Sequence, residues 1–189
     1  MEKLELTLTG LTPILMHNVR RFLNAGDEAG REFKTLGKKR NKTEEDFQRM
    51  SDLEFVMGMY ADELGRPILP GEILEACVIA GAKKSKAGNI AKTSLLVEDA
   101  PLIYDGPATA DELLADPNFR DVRPVDVNGA RINRTRPIFR NWSARITMSF
   151  DPGLADKGQV LTWVRDAGAQ CGIGDFRPRF GRFAVEVSE

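Results

Sequence analysis

The residues with the greatest capacity for chemistry lie in one block: Gly172-Ile173-Gly174-Asp175-Phe176-Arg177-Pro178-Arg179-Phe180-Gly181-Arg182-Phe183. Its glycines, Gly172, Gly174 and Gly181, permit positive φ or close backbone approach. Arg177, Arg179 and Arg182 alternate with phenylalanines. Backbone N–H groups bared by glycine, together with guanidinium forks, would make an anion cradle. A dinucleotide site needs its glycines between a strand and a following helix. Here they follow a helical segment and precede a strand, so a dinucleotide-binding fold is excluded. The plainer alternative is a helix-to-strand turn with glycine at the helix C-terminus.

A second concentration spans residues 120–145, with Arg120, Arg123, Arg131, Arg134, Arg136, Arg140 and Arg145 against the local acids Asp121 and Asp126. Arg131, Arg134, Arg136 and Arg140 are the expected phosphate contacts. Their uneven spacing reads as a hairpin tip. Phe139 and Trp142 would offer π-faces to bases, the alternative being that Trp142 is core. The run KKSKAGNIAK brings Lys83, Lys84 and Lys86, and the 31–42 segment brings Lys38, Lys39 and Arg40. These lysine-rich runs are secondary contacts, and they fit a solvated surface equally well.

Catalytic signals are sparse. His17 is the sole histidine, a weak candidate for a general base. Asp99, Asp105 and Asp111 have no metal-ligand spacing. Cys77 and Cys171 form no C-x-x-C pair, so neither a disulfide framework nor a zinc site is expected. No metal and no cofactor follow from the residues.

The elements that must position these groups can be read from periodicity. Leu4, Leu6 and Leu8 alternate with polar residues, predicting a strand over 3–9. Residues 17–42 read as a polar loop. Thr43 through Asp46 resembles a capping box for a helix over about 44–60, with Phe47, Met50, Leu53 and Met57 on its inner face. A buried helix is expected over 72–82, and a small hairpin over 95–97 and 102–104. A short helix starts after Thr109, and Val122, Val125 and Val127 suggest a strand. Trp142 through Phe150 alternate cleanly. Asp156 caps a helix over about 157–170, and Phe183, Val185 and Val187 form the last strand. The order is β-α-β-β-α-β, a ferredoxin-like, RRM-type α+β sandwich with its middle hairpin at 120–145. One domain over 1–189 is expected, with an inserted basic loop at about 17–43 and an insertion at about 83–120.

The 189 residues are 42% hydrophobic and 29% charged, enough for a packed core. Lys and Arg number 27 against 28 Asp and Glu. That balance excludes a uniformly basic binder while leaving room for a local basic stripe. With no long apolar run, no membrane partner is expected, and the compartment expected is the cytoplasm of a bacterial host.

Three patches carry a family resemblance: TLTGLTPILMH, GRPILPGEILEACVIAGAKK and the glycine–arginine block. Together they resemble the RAMP superfamily, the ferredoxin-like RNA-binding proteins of CRISPR systems. The chain is also similar to a group of phage and prophage proteins with a G-I-G-D-F-R-P-R-F-G-R-F-type signature. The RAMP resemblance implies a backbone subunit that binds single-stranded RNA along a basic groove and polymerises on it. A phage relative would coat single-stranded RNA or DNA. Asp27 lies in the loop that corresponds to the family's RNA-cleaving aspartate, without a local match. Some RAMP endonucleases use a loop histidine, which points to His17.

The leading expectation is a non-enzymatic single-stranded RNA- or DNA-binding protein. It would form a homo-oligomer or filament and work beside CRISPR or phage replication and recombination proteins. A metal-independent RNA endonuclease using His17 is one alternative. A phage structural or inhibitor protein that binds protein partners is the other.

Overall fold

A computed structural model describes residues 1–127 and 129–188. In chain order come β1 (Glu2–Gly10), β2 (Ile14–Leu15), α1 (Val19–Leu23), α2 (Glu28–Lys38), α3 (Glu44–Gly58), β3 (Ile68–Leu69), α4 (Gly71–Ala82) and α5 (Gly88–Ser94). There follow β4 (Leu95–Val97), β5 (Ala100–Pro101), α6 (Ala110–Ala115), β6 (Arg120–Val127), β7 (Ala130–Phe139), β8 (Ser143–Phe150), α7 (Lys157–Asp166) and β9 (Phe183–Val187). The chain divides into two units, one made of Met1–Ile14, Pro67–Asp105 and the residues from Phe139 onward, the other of Leu15–Arg66 and Gly106–Ile138.

The first unit is built on a four-stranded sheet of order β4-β8-β1-β9. Its pairings are antiparallel, with Leu4 opposite Met148 and Leu6 opposite Ile146 on one side of β1, and Leu8 opposite Val185 on the other. Period-2 alternation puts Leu4, Leu6, Leu8, Ala144, Ile146, Met148 and Phe150 on one buried face. Glu5, Thr7, Arg145 and Thr147 face away. Following β1, α4, β4, β8, α7 and β9 gives the βαββαβ path, in which the first strand lies between the third and the last. This is the ferredoxin-like sandwich expected from the sequence. α7 starts at Asp156, whose side chain forms a capping box with Gln159. It runs into a π-helical turn over Ala167–Cys171.

Two parts of the expected path change. The middle strand pair is β4 with β8, and the arginine-rich hairpin β6–β7 belongs to a separate sheet of order β2-β7-β6. The small hairpin expected at 95–104 is absent: β4 pairs with β8, and β5 pairs with β3. A three-residue strand with little alternation carries no register information, so the sequence could not say which partner it takes.

The second unit holds α1, α2, α3, α6 and the β6–β7 hairpin. The segment expected as a loop at 17–42 contains α1 and α2. Asp27 begins α2: its carboxylate accepts from the Gly30 N–H at 3.0 Å and from Arg21 Nε at 2.8 Å. Arg21 also donates to the Val56 carbonyl at 2.9 Å. These polar ties add to an apolar stripe of Ala29, Phe33 and Leu36, which recur at helical spacing along α2. The Asp27 role is therefore capping and pairing. α3 and α6 have the capping boxes read from Thr43/Asp46 and Thr109/Glu112. Phe47, expected on the inner face of α3, is instead 56% exposed.

The Arg21 guanidinium beside Asp27 holds its carboxyl below the ordinary value of 3.8. A lowered folded pKa stabilises above the unfolded value and is lost as pH falls through the folded one. Wild type should therefore exceed Asp27→Asn in urea-melt stability at pH 7, with the gap closing below pH 4; an equal gap at both pH values would contradict this. In the first unit, α4 crosses α7 at Gly81, where a Cβ would run into the Trp163 carbonyl and the Ala167 backbone. Gly81→Val should cost about 1–3 kcal/mol by overpacking, read as a lower Tm. An unchanged Tm would mean that the helices do not meet there.

Candidate nucleic-acid interface

The arginine hairpin is pinned to α3 by charge. Glu54, 6% exposed, accepts from Arg134 Nη1 and from the Thr135 N–H at 2.9 Å. One turn earlier, Ser51 Oγ and Thr135 Oγ1 lie 2.7 Å apart. Arg120 reaches Ser51 Oγ at 3.0 Å and Asp52 at 3.0 Å. Arg123 pairs with Asp121 within β6. Every second residue of a strand shares a face, so β6 and β7 present two rows of arginines, and α3 takes up part of them.

This sorts the expected contacts. Arg134 is committed to Glu54, and Arg136 is buried at 7% exposure. Arg131 has an 82% exposed side chain, 3.8 Å from Asp126. Arg140 is exposed just beyond β7. The 131–136 segment is regular strand inside β7, paired with β6 from Arg131 opposite Asp126 to Arg136 opposite Asp121, not a hairpin tip. Phe139 and Trp142 are core residues. Phe139 packs edge-on against Tyr104 at 4.8 Å. Trp142 packs against Phe183 at 6.2 Å, and its indole N–H donates to the Thr12 carbonyl at 2.9 Å. With their faces covered, neither can stack on a base.

The glycine loop follows α7 and its π-helical turn in the first unit. Gly172, Gly174 and Gly181 all have positive φ, so glycine is required there. The backbone donors close the loop on itself. The Gly172 N–H donates to the Ala167 carbonyl at 2.8 Å, Ile173 N–H to the Gly181 carbonyl at 2.9 Å, and Gly181 N–H to the Pro13 carbonyl at 2.8 Å. Arg182 N–H donates to Thr12 Oγ1 at 2.9 Å. A Cβ on Gly172 would sit 2.6 Å from the Phe180 carbonyl. Gly172 and Gly181 therefore serve close chain crossing, and the N–H groups of Gly172, Ile173 and Gly181 are engaged within the protein. Beneath the loop, Cys77 Sγ donates to the Gly172 carbonyl at 3.2 Å. Burial, reinforced by Cys171, pushes the Cys77 thiol up to about 12, so it is not a nucleophile at neutral pH.

What the loop presents outward is cationic. Arg177 and Arg179 are exposed, while Arg182 is half-buried with Nε donating to the Pro178 carbonyl at 2.8 Å. Phe176, 40% exposed, meets Phe180 edge-on at 6.5 Å. Lys83, Lys84 and Lys86 are exposed in the short turn after α4. In the other unit Lys38 and Arg40 are exposed, and Lys39 pairs with Asp46 at 2.7 Å. The ring of His17 packs on Phe22 at 5.1 Å and its carbonyl accepts from Tyr60 at 3.0 Å.

Sequence reading missed Ser51, Asp52 and Glu54. They lie 68 to 84 residues from their partners, and an acid count restricted to 120–145 cannot include them. The one available signal was Glu54 lying between Leu53 and Phe55 on an otherwise apolar side of α3.

One chain of the Type III-B Cmr-beta structure, determined by cryo-EM bound to cognate target RNA, matches with a TM-score of 0.55 and 12% identity. The match covers 99% of this chain and 60% of that one. At that identity the likeness is one of fold. No family model and no curated protein matches the sequence. Among the described residues, no helix is long and apolar enough to cross a membrane.

Removing the buried carboxylate should free the hairpin. Glu54→Gln leaves Arg134 without its partner, and breaking such a pair costs about 3–5 kcal/mol when fully buried. Since Arg134 keeps partial exposure at 29%, about 2 kcal/mol is expected here, measured by denaturant melt. Arg131→Gln should change stability by less than about 0.5 kcal/mol. Equal effects of the two would refute the anchoring role of Glu54.

Proposed function

We propose that this protein binds single-stranded RNA, with the exposed cations Arg131, Arg140, Arg177 and Arg179 contacting phosphates and Lys83, Lys84, Lys86, Lys38 and Arg40 assisting. The observation that carries the reading is the fold match along 99% of the chain to a protein whose structure was determined with target RNA bound. The exposed arginines supply the chemistry: a planar fork matches a phosphate in a bidentate way. Phosphate contacts release counterions and so make binding salt-dependent.

The net charge of −1 demands acids elsewhere. Glu44, Glu45, Asp111 and Glu112 are exposed. We read them as the surface that meets the basic side of a neighbouring copy, head-to-tail, in an open assembly along the strand. In this reading the protein belongs to a CRISPR-type effector, or to a phage counterpart that coats its own strand.

The test is fluorescence anisotropy with labelled oligo-U and oligo-dT at 50 and 200 mM salt. Affinity should fall steeply with salt. Arg177→Gln with Arg179→Gln should weaken binding and flatten the log–log salt slope by about 1.4, at about 0.7 per lost single-strand phosphate contact. Affinity indifferent to salt would overturn the proposal.

A further inference from the structure

The second unit contains a cleft of about 750 Å³ between α2, the start of α3 and the β6–β7 hairpin. Its apolar lining includes Phe33, Phe47, Met50, Val122 and Ile132. Three of these are left open: Phe47 is 56% exposed, Val122 55% and Ile132 36%. Exposed apolar groups gathered in one concavity mark a binding site rather than a stretch of plain surface. Around that lining stand four cations, Arg40, Lys42, Arg131 and Arg134, against the carboxylates Glu44 and Glu54. Glu54 is already matched by Arg134, and Lys42 Nζ donates to the neutral carbonyls of Gly37 and Lys39 at 2.9 and 2.8 Å. The excess charge of the cleft is therefore positive. Asn133 adds an amide that can both donate and accept, and Gln48, whose Nε2 donates to Asp52 at 2.9 Å, adds an acceptor oxygen.

Aromatic rings, amides and cations in one cleft fit one class of ligand: a flat apolar ring with polar edges, joined to an anion. We infer that this cleft takes one unstacked nucleotide of a bound single strand, its base against Phe47 and its phosphates toward Arg40 and Arg131. The volume lies within the range of sites that enclose a small organic ligand, about 300–1,000 Å³. Stacking on an aromatic side chain tolerates any base, and single-stranded RNA can turn its bases outward to reach one. An acidic peptide would satisfy the cations, but it would leave the open face of Phe47 without a counterpart.

The inference rests on the RNA-binding reading, and the experiment separates the two. Phe47 is exposed, so Phe47→Ala and Phe47→Trp should fold, which circular dichroism and a melt verify. Oligo-U binding is then measured by anisotropy across a salt series. Phe47→Ala should weaken binding about thirtyfold, the middle of the range for one lost base stack, with the salt slope unchanged because no phosphate contact is removed. Phe47→Trp should retain wild-type affinity, and its added indole emission should be quenched by the oligonucleotide. If wild type binds and Phe47→Ala binds equally well, the cleft assignment fails and RNA binding stands. If wild type binds no single strand, both fail. Quenching of Phe47→Trp by uridine monophosphate at the same concentration as by oligo-U would make this a free-nucleotide site and overturn the inference. So would polyglutamate binding by wild type that is lost in Phe47→Ala while oligo-U binding persists, which would assign the cleft to protein.

Discussion

A carboxylate inside the second unit decides which arginines meet solvent. Glu54 sits on α3 with almost no exposure and holds both the Arg134 guanidinium and the Thr135 N–H. A buried acid without such partners would be too costly to keep charged, so hairpin and helix determine each other's position. The geometry then propagates. Ser51 meets Thr135 one turn away, Arg120 reaches Ser51 and Asp52, and β7 is locked in register against β6. The arginines left over, not the total, set the cationic surface of this unit.

The glycine loop of the first unit follows a related logic. Its backbone amides would make a good anion cradle if they pointed outward. They point inward, to Ala167, Gly181 and Pro13, because a chain that crosses itself under Phe180 must pair its donors where water cannot reach them. The positive charge that the loop displays comes from arginine side chains, with Arg177 and Arg179 exposed and Arg182 half-buried. Glycine here serves shape, and arginine supplies the charge.

How much of this could be read from residues depends on the range of the interaction. Period-2 alternation in β1 and β8 was clear because one face of each is wholly buried. Capping boxes at Thr43, Thr109 and Asp156 were legible because they span only three residues. The helical nature of 17–42 was masked by its polar composition, although Ala29, Phe33 and Leu36 recur at helical spacing within α2. The middle strand pair was misassigned because β4 is three residues long and 45 residues of other structure precede β8. Phe139 and Trp142 looked available beside so many arginines, yet Trp142 stands in step with the apolar alternation of β8, which was already consistent with its burial. Phe47 erred the other way: helical spacing alone does not say whether the facing element arrives.

The interleaving of the two units along the chain bears on synthesis. The second unit has all its segments once Ile138 has been made. β1, made before either of its neighbours, then still lacks both, since β8 begins at Ser143 and β9 at Phe183. Throughout that interval its Leu4, Leu6 and Leu8 and two open edges are available to any other extended chain. Pairing across such a sequence separation forms slowly. The nascent protein is therefore most vulnerable to aggregation while its inserted unit is already complete, and sheet closure around β1 ends that exposure.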